Sequence, residues 1–215
     1  NTLYLIQGGA NDIFQNLQIY GADPATLQAL TYQSGIDFAT QVATLAQAGA
    51  RYIVVQKVPN IAVAPAFVNT PYAAAATALS SAYNTVVAGA LTQMGVSVVA
   101  IDDFGLITEI AANPAQYGFS NATGMACTTS SSITCSPATL VTPDSASTYV
   151  FADSVHPTTA GQKLLAQYVS ATLNAPTQMS LLSSAPLSAG QRRADSVWTY
   201  ALNGLKAGQQ TWHTF

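Results

Sequence analysis

Short uncharged runs of apolar residues alternate along this chain with longer segments in which apolar residues recur every three or four positions. The short runs predict buried strands, and they cover residues 3–7, 52–55, 96–101 and 149–151. The longer segments predict helices, and they cover residues 24–47, 73–94, 104–112 and 158–173. This alternation is typical of an α/β protein in which a parallel sheet carries helices on both faces.

Three places interrupt the regular pattern. Gly35 is predicted to split or bend the helical region around it. Residues 114–148 show little periodicity, which predicts a long loop. After Pro176 the chain becomes small and polar, so we expect residues 1–176 to form a domain and residues 177–215 a linker with a helical tail over residues 192–205.

Charge is scarce in this sequence. Charged residues make up 7% of the 215 positions and the net charge is −3, whereas a typical soluble domain has about 25% charged residues. With six basic residues, the chain lacks the charge that a nucleic acid or an anionic membrane attracts. A surface built from Ser, Thr, Asn and Gln favours a secreted or cell-surface protein.

The two cysteines, Cys127 and Cys135, lie in a segment rich in Ser and Thr. They lack a Cys-x-x-Cys spacing and a neighbouring histidine, so we expect no metal site here, and no other motif indicates a cofactor. A local disulfide is the favoured interpretation and agrees with an oxidising compartment. Two unrelated free thiols are the alternative.

A glycine-rich motif, Gly8-Gly9-Ala10-Asn11-Asp12, directly follows the first predicted strand. Ligands of parallel α/β sheets bind beyond the carboxyl ends of the strands. Glycine lets the backbone approach a ligand closely, and the Asn11 amide is a donor suited to a developing oxyanion. The alternative is a simple glycine turn in which Asn11 or Asp12 caps the next helix.

A second motif, Asp153-Ser154-Val155-His156, follows the last predicted strand. The three-residue spacing lets the Asp153 carboxylate reach the imidazole of His156 across one tight turn. The carboxylate can then fix the histidine tautomer and stabilise the imidazolium form. The alternative is a surface turn in which the pair only caps the following helix.

Together, the two motifs resemble the G-x-N-D and D-x-x-H blocks of SGNH (GDSL-like) serine ester hydrolases, in the same order. The resemblance implies a three-layer, doubly wound parallel sheet of the flavodoxin-like kind. It also implies that Asn11 is an oxyanion donor, His156 the general base and Asp153 its orienting partner. The implied substrate is a small ester or a lipid, and the implied chemistry uses no cofactor or metal.

The serine nucleophile of that family lies in a G-D-S block, and this sequence contains no G-D-S. Ser34 and Ser154 do not stand in a matching strand-to-helix position. The chain also opens directly in an apolar run, Leu3 to Ile6. We therefore expect the serine strand to come from a missing N-terminal segment or a swapped neighbouring chain, and residues 1–215 alone not to form a stable, active monomer.

The low charge, the cysteine loop and the aromatic end of the chain further resemble the passenger domains of autotransporter esterases. That resemblance implies a bacterial outer-membrane location, with Trp212–Phe215 leading into a C-terminal membrane β-barrel. Three other functions stay open: an acyltransferase, a carbohydrate acetylesterase, or a non-catalytic surface-binding domain without a nucleophile.

Overall fold

A computed structural model describes residues 2–176 and Ser196. The chain divides into two compact units, Asn1–Val169 and Ser170–Phe215. The strands and helices of residues 3–151 lie within the first unit. The predicted tail helix at 192–205, apart from Ser196, and the aromatic end at Trp212–Phe215 lie outside the described residues.

Three parallel strands form the main sheet, β1 (Leu3–Ile6), β2 (Tyr52–Gln56) and β3 (Val99–Ile101), in the order β1-β2-β3. Strand β4 (Asn121–Met125) pairs in parallel with β5 (Tyr149–Phe151) as a second, smaller sheet. The predicted α/β fold with parallel strands is confirmed. The last predicted strand, however, pairs with β4, which the sequence pattern does not predict.

Within residues 2–176, six α-helices accompany the sheets. They are α1 (Ala10–Tyr20), α2 (Pro24–Gln47), α3 (Ala73–Gln93), α4 (Asp103–Ala112), the single turn α5 (Ser145–Thr148), and α6 over residues 159–176. The start of α2 is typical of helix N-termini, because Pro24 occupies the first turn and the Asp23 side chain accepts a hydrogen bond from the Thr26 N–H at 3.1 Å. Among the described helices, none combines the length and hydropathy needed to cross a membrane.

The split predicted at Gly35 is wrong, because α2 runs through this residue without interruption, and the alternative of a bend stays a prediction. Gly35 faces α3, where a β-carbon would lie 2.8 Å from Cγ1 of Val86. The missing side chain therefore allows the two helices to approach each other closely. Glycine here serves helix packing, and the contacts that the approach permits outweigh its low helix propensity.

The main core lies between one face of the sheet and helices α1, α2 and α3. Its buried members include Ile13, Val42, Ile53, Val55 and Val87. A second core surrounds α4 and the β4–β5 pair, and it includes Ile110, Phe119, Val150 and Phe151. The glycine motif follows the carboxyl end of β1, and the D-x-x-H motif follows the carboxyl end of β5.

The opposite face of the main sheet exposes apolar side chains. Leu3 and Leu5 are 55% and 53% exposed, and Tyr52, the cross-strand partner of Leu3, is 55% exposed. Strand β1 is thus buried only on the face that packs Ile6 into the main core. In the described residues β1 is therefore an edge strand of the main sheet with one covered face.

The segment predicted as a long loop contains β4, α5 and a disulfide between Cys127 and Cys135. The disulfide confirms the favoured interpretation of the cysteines. The N–H groups of Ala126 and Cys127 donate to the carbonyls of Phe151 and Ala152, at 2.8 and 3.0 Å. These bonds continue the β4–β5 pairing and place Cys127 beside the start of the D-x-x-H motif.

Candidate active site

The D-x-x-H motif forms a loop that its own backbone closes. The Ala152 N–H donates to the His156 carbonyl at 2.7 Å, and the Thr158 N–H donates to the Val150 carbonyl at 2.9 Å. The Ser154 carbonyl accepts a further bond from the Ala66 N–H at 2.9 Å. These bonds hold the loop between β5 and α6 in one conformation.

Within this loop, Asp153 and His156 form a direct pair. Nδ1 of His156 lies 2.8 Å from Oδ2 and 3.0 Å from Oδ1 of Asp153. The Asp153 side chain is 2% exposed, whereas the imidazole is 64% exposed. The imidazole therefore has one nitrogen on a buried carboxylate and presents the rest of its ring to solvent.

Three backbone N–H groups also donate to Asp153. Those of Val155 and His156 bond Oδ1 at 2.9 and 2.8 Å, and that of Ser132 bonds Oδ2 at 2.6 Å. Burial alone would raise the pKa of Asp153, but these bonds and the contact with His156 lower the pKa well below its ordinary value. An ionised Asp153 accepts a hydrogen bond from Nδ1–H, which leaves Nε2 of His156 as the basic nitrogen.

The glycine motif forms the turn between β1 and α1. Gly9 precedes α1 with φ of 102°, a left-handed backbone conformation that favours glycine. No side-chain hydrogen bond caps the start of α1, so the capping interpretation of Asn11 and Asp12 does not hold. Asn11 lies in the first turn of α1 with its side chain exposed.

A cavity of about 470 Å³ joins the two motifs. Its wall includes Asn11, Val155 and His156, together with apolar residues of α4 and Phe119. The structure thus brings the predicted site residues to one cavity, with Asp153 beneath His156. No serine among the described residues lines it; Ser34 lies within α2, and Ser154 lies inside the D-x-x-H loop.

Asp103 also lines this cavity and is absent from the predicted site. It is 4% exposed, and its Oδ2 accepts hydrogen bonds from Nε2 of Gln56 at 3.0 Å and of Gln7 at 3.4 Å. Burial, followed by the charge of Asp102, raises the pKa of Asp103 to about 7. One signal could have found it, because Asp103 follows β3 at the sheet edge where the glycine motif follows β1.

The arrangement suits acyl transfer more than metal chemistry. Among residues 2–176, no three His, Cys, Asp or Glu side chains cluster as a metal site requires. A carboxylate-paired histidine, a side-chain amide and an apolar wall are instead groups that acyl-transfer sites use in general.

Residues 1–169 match the family described as GDSL-like Lipase/Acylhydrolase. The chain belongs to this family. The match ends at the same residue as the first compact unit, so the family match covers that unit. The family match and the parallel α/β architecture together agree with the SGNH-hydrolase fold.

Individual relatives are longer than this chain. It is 36% identical over 188 residues to esterase EstA of Pseudomonas aeruginosa, and 33% identical over 187 residues to an uncharacterised protein from the trpE-trpG intergenic region of Pseudomonas putida. Each alignment covers 85% of this chain, but only 28% and 30% of those two proteins. A GDSL esterase/lipase of Arabidopsis thaliana is 28% identical, with 77% of this chain and 50% of the relative covered.

Proposed function

We propose that this chain is the acid–base half of a carboxylic-ester hydrolase that works through an acyl-serine intermediate. The main support is the Asp153–His156 pair: the buried Asp153 carboxylate lies 2.8 Å from Nδ1 of the exposed His156. His156 and Asn11 line the same cavity. Family membership and the esterase names of several relatives support ester hydrolysis as the reaction.

The proposed residues act in sequence. Nε2 of His156 removes the proton from the serine hydroxyl as its oxygen attacks the ester carbonyl, and Asp153 stabilises the imidazolium that forms. The Asn11 amide donates a hydrogen bond to the oxyanion of the tetrahedral intermediate. His156 then returns the proton to the departing alcohol, and water releases the acid by the same steps in reverse.

The nucleophilic serine is proposed to lie on a segment upstream of residue 1 or on a neighbouring copy. Two observations support this. No described serine lines the cavity, and the sheet face next to β1 exposes Leu3 and Leu5. A further strand and helix packed there would cover these side chains and satisfy the free edge of β1.

A location outside the cytoplasm is part of the proposal. The disulfide between Cys127 and Cys135 favours an oxidising compartment, and the 7% charged content is compatible with a secreted domain. We propose that the protein is secreted or displayed at a bacterial outer membrane, as a passenger-type domain. Cell fractionation with accessibility to added protease tests this location.

The deciding experiment extends the chain upstream. A G-D-S block should be found in the upstream coding sequence, and the extended protein should hydrolyse p-nitrophenyl butyrate, whereas residues 1–215 alone should not. Changing the serine of that block to alanine should abolish hydrolysis. An extended protein without a G-D-S block and without hydrolysis would instead support a surface-binding domain.

The same assay separates the related enzyme functions. Added alcohols as acyl acceptors would reveal an acyltransferase through ester products, and acetylated sugars would reveal a carbohydrate acetylesterase. We expect free acid from p-nitrophenyl butyrate as the main product, with little transfer to the alcohols and little release of acetate from the sugars. A fully active monomer of residues 1–215 would place the nucleophile within this chain and contradict the proposal.

A further inference from the structure

The loop closed by the disulfide, residues 127–135, reaches the candidate catalytic pair directly. The backbone N–H of Ser132 donates to Oδ2 of Asp153 at 2.6 Å, across 21 positions of sequence. The other two backbone donors to this carboxylate, Val155 and His156, belong to the D-x-x-H loop itself. Ser132 is therefore the one backbone donor to Asp153, among the described contacts, that comes from a separate part of the chain.

The 127–135 loop is anchored beside Asp153. Cys127 is 1% exposed, and its N–H bonds the carbonyl of Ala152, the residue before Asp153, at 3.0 Å. The disulfide ties Cys135 to this anchor. Between them, the N–H groups of Thr134 and Cys135 bond the carbonyls of Ser131 and Ser132, each at 3.2 Å, in a tight turn.

We infer that the 127–135 loop is a positioning element for the Asp153–His156 pair, in which the disulfide holds the Ser132 amide on Oδ2 of Asp153. With Oδ1 bonded by two N–H groups and Oδ2 by a third, the carboxylate cannot rotate. It then presents a fixed acceptor to Nδ1 of His156, which selects the Nδ1–H tautomer. The catalytic consequence rests on the proposed function, but the effect on the tautomer does not.

The 127–135 loop could instead only stabilise the fold. Two substitutions at Ser132 distinguish this structural role from the positioning role. Ser132→Pro removes the N–H, whereas Ser132→Ala removes only the hydroxyl. Proline fits this position, because Ser132 is the first residue of its turn and Ser131 has extended backbone angles, φ −136° and ψ 135°. Neither substitution touches the disulfide.

The first measurement is the ¹⁵N chemical shifts of the imidazole of His156 in the extended protein, at a pH where the ring is neutral. The chain has two histidines, so the His156→Ala spectrum assigns the signals. We expect the Nδ1–H tautomer in the wild type and in Ser132→Ala. Ser132→Pro should increase the share of the Nε2–H form.

The second measurement is the kinetics of the extended, serine-bearing protein. Ser132→Pro should lower kcat by about tenfold with KM unchanged, a small part of the roughly 10⁴-fold that a wrong histidine tautomer costs. Ser132→Ala should match the wild type. Reducing the disulfide in the wild type should also increase the share of the Nε2–H tautomer and lower kcat. In the Ser132→Pro protein, which already lacks the Ser132 N–H, reduction should have little further effect on either.

The outcomes are distinct. A Ser132→Pro protein with wild-type tautomer and kcat would overturn the inference, as would a reduced wild type that loses stability but keeps both. An extended wild type without esterase activity would refute the proposed function, while the tautomer measurement would still decide the role of the 127–135 loop.

Discussion

The ring of Tyr83 packs so closely against the backbone of Gly9 that a β-carbon on Gly9 would overlap the phenol. Tyr83 belongs to α3 and is buried, and Gly9 immediately precedes α1. The contact therefore fixes the distance between the start of α1 and helix α3. Because Asn11 lies in the first turn of α1, a residue distant in sequence determines where the candidate oxyanion donor stands.

Gly9→Ala should destabilise the protein through both backbone strain and overlap with Tyr83. Gly49→Ala is the matched control, since Gly49 has nearly the same φ, 101°, and a β-carbon there would meet no atom within 4 Å. We expect Gly49→Ala to cost about 1–2 kcal/mol of unfolding free energy. Gly9→Ala should cost about 1–3 kcal/mol more. Urea denaturation measures both, and equal losses would show that Tyr83 does not constrain the turn.

Asn11→Ala should reduce kcat of the extended enzyme about 100- to 1,000-fold with little change in KM, because its donor would act mainly on the transition state. The control is Gln15→Ala, an exposed position of the same helix, which should retain full activity. An effect confined to KM would assign Asn11 to ordinary substrate binding.

His156→Ala should lower kcat by about 10³-fold or more, since no other group would accept the serine proton. The side chain is exposed, so circular dichroism and the unfolding midpoint should change little. The chain's other histidine provides the control, and His213→Ala should keep wild-type kinetics. Near-normal hydrolysis by His156→Ala would refute the assignment of the general base.

Asp103 should make stability fall as pH rises. Its pKa is about 7 in the folded protein, against about 4 in an unfolded chain. Between these values the folded state keeps a proton that the unfolded state has lost, so the free energy of unfolding decreases with increasing pH. Urea denaturation at pH 5 and pH 8 should show a larger decrease for the wild type than for Asp103→Asn.

The exposed Asp37 provides the control for this pH effect. Asp37→Asn removes the same charge without changing the buried site, so its pH dependence should follow the wild type. If Asp103→Asn shows the same decrease from pH 5 to pH 8 as the wild type, then Asp103 does not hold its proton in the folded protein.

The sequence predicts best where a feature is local. Strands β1, β2, β3 and β5 follow from short runs of apolar residues, and most helices follow from apolar residues at helical spacing. The Asp153–His156 contact follows from a spacing of three within one turn. Asn11 could be predicted as a site residue because the glycine motif that contains it directly follows a strand. In each case the atoms that must meet are separated by a few residues, so the motif almost specifies the geometry.

Features that depend on distant partners were not predictable. Asp103 takes its environment from Gln56, 47 positions earlier, and Ser132 reaches Asp153 across 21 positions. The propensity of Gly35 alone predicts a helix break, whereas its contact with Val86 of α3 decides its role. Strand β4 also depends on pairing with β5, since its sequence, Asn-Ala-Thr-Gly-Met, has little strand character of its own.

The backbone closure of the D-x-x-H loop has an evolutionary consequence. Its hydrogen bonds join backbone N–H groups to backbone carbonyls, and every residue type supplies the carbonyl. The three bonds run from Ala152 to His156, from Thr158 to Val150 and from Ala66 to Ser154. The side chains at 154 and 155 are therefore free to change while His156 stays in place. Val155 borders the cavity, so under the proposed function we expect a substitution at that position to change which esters fit while Asp153 and His156 keep their positions.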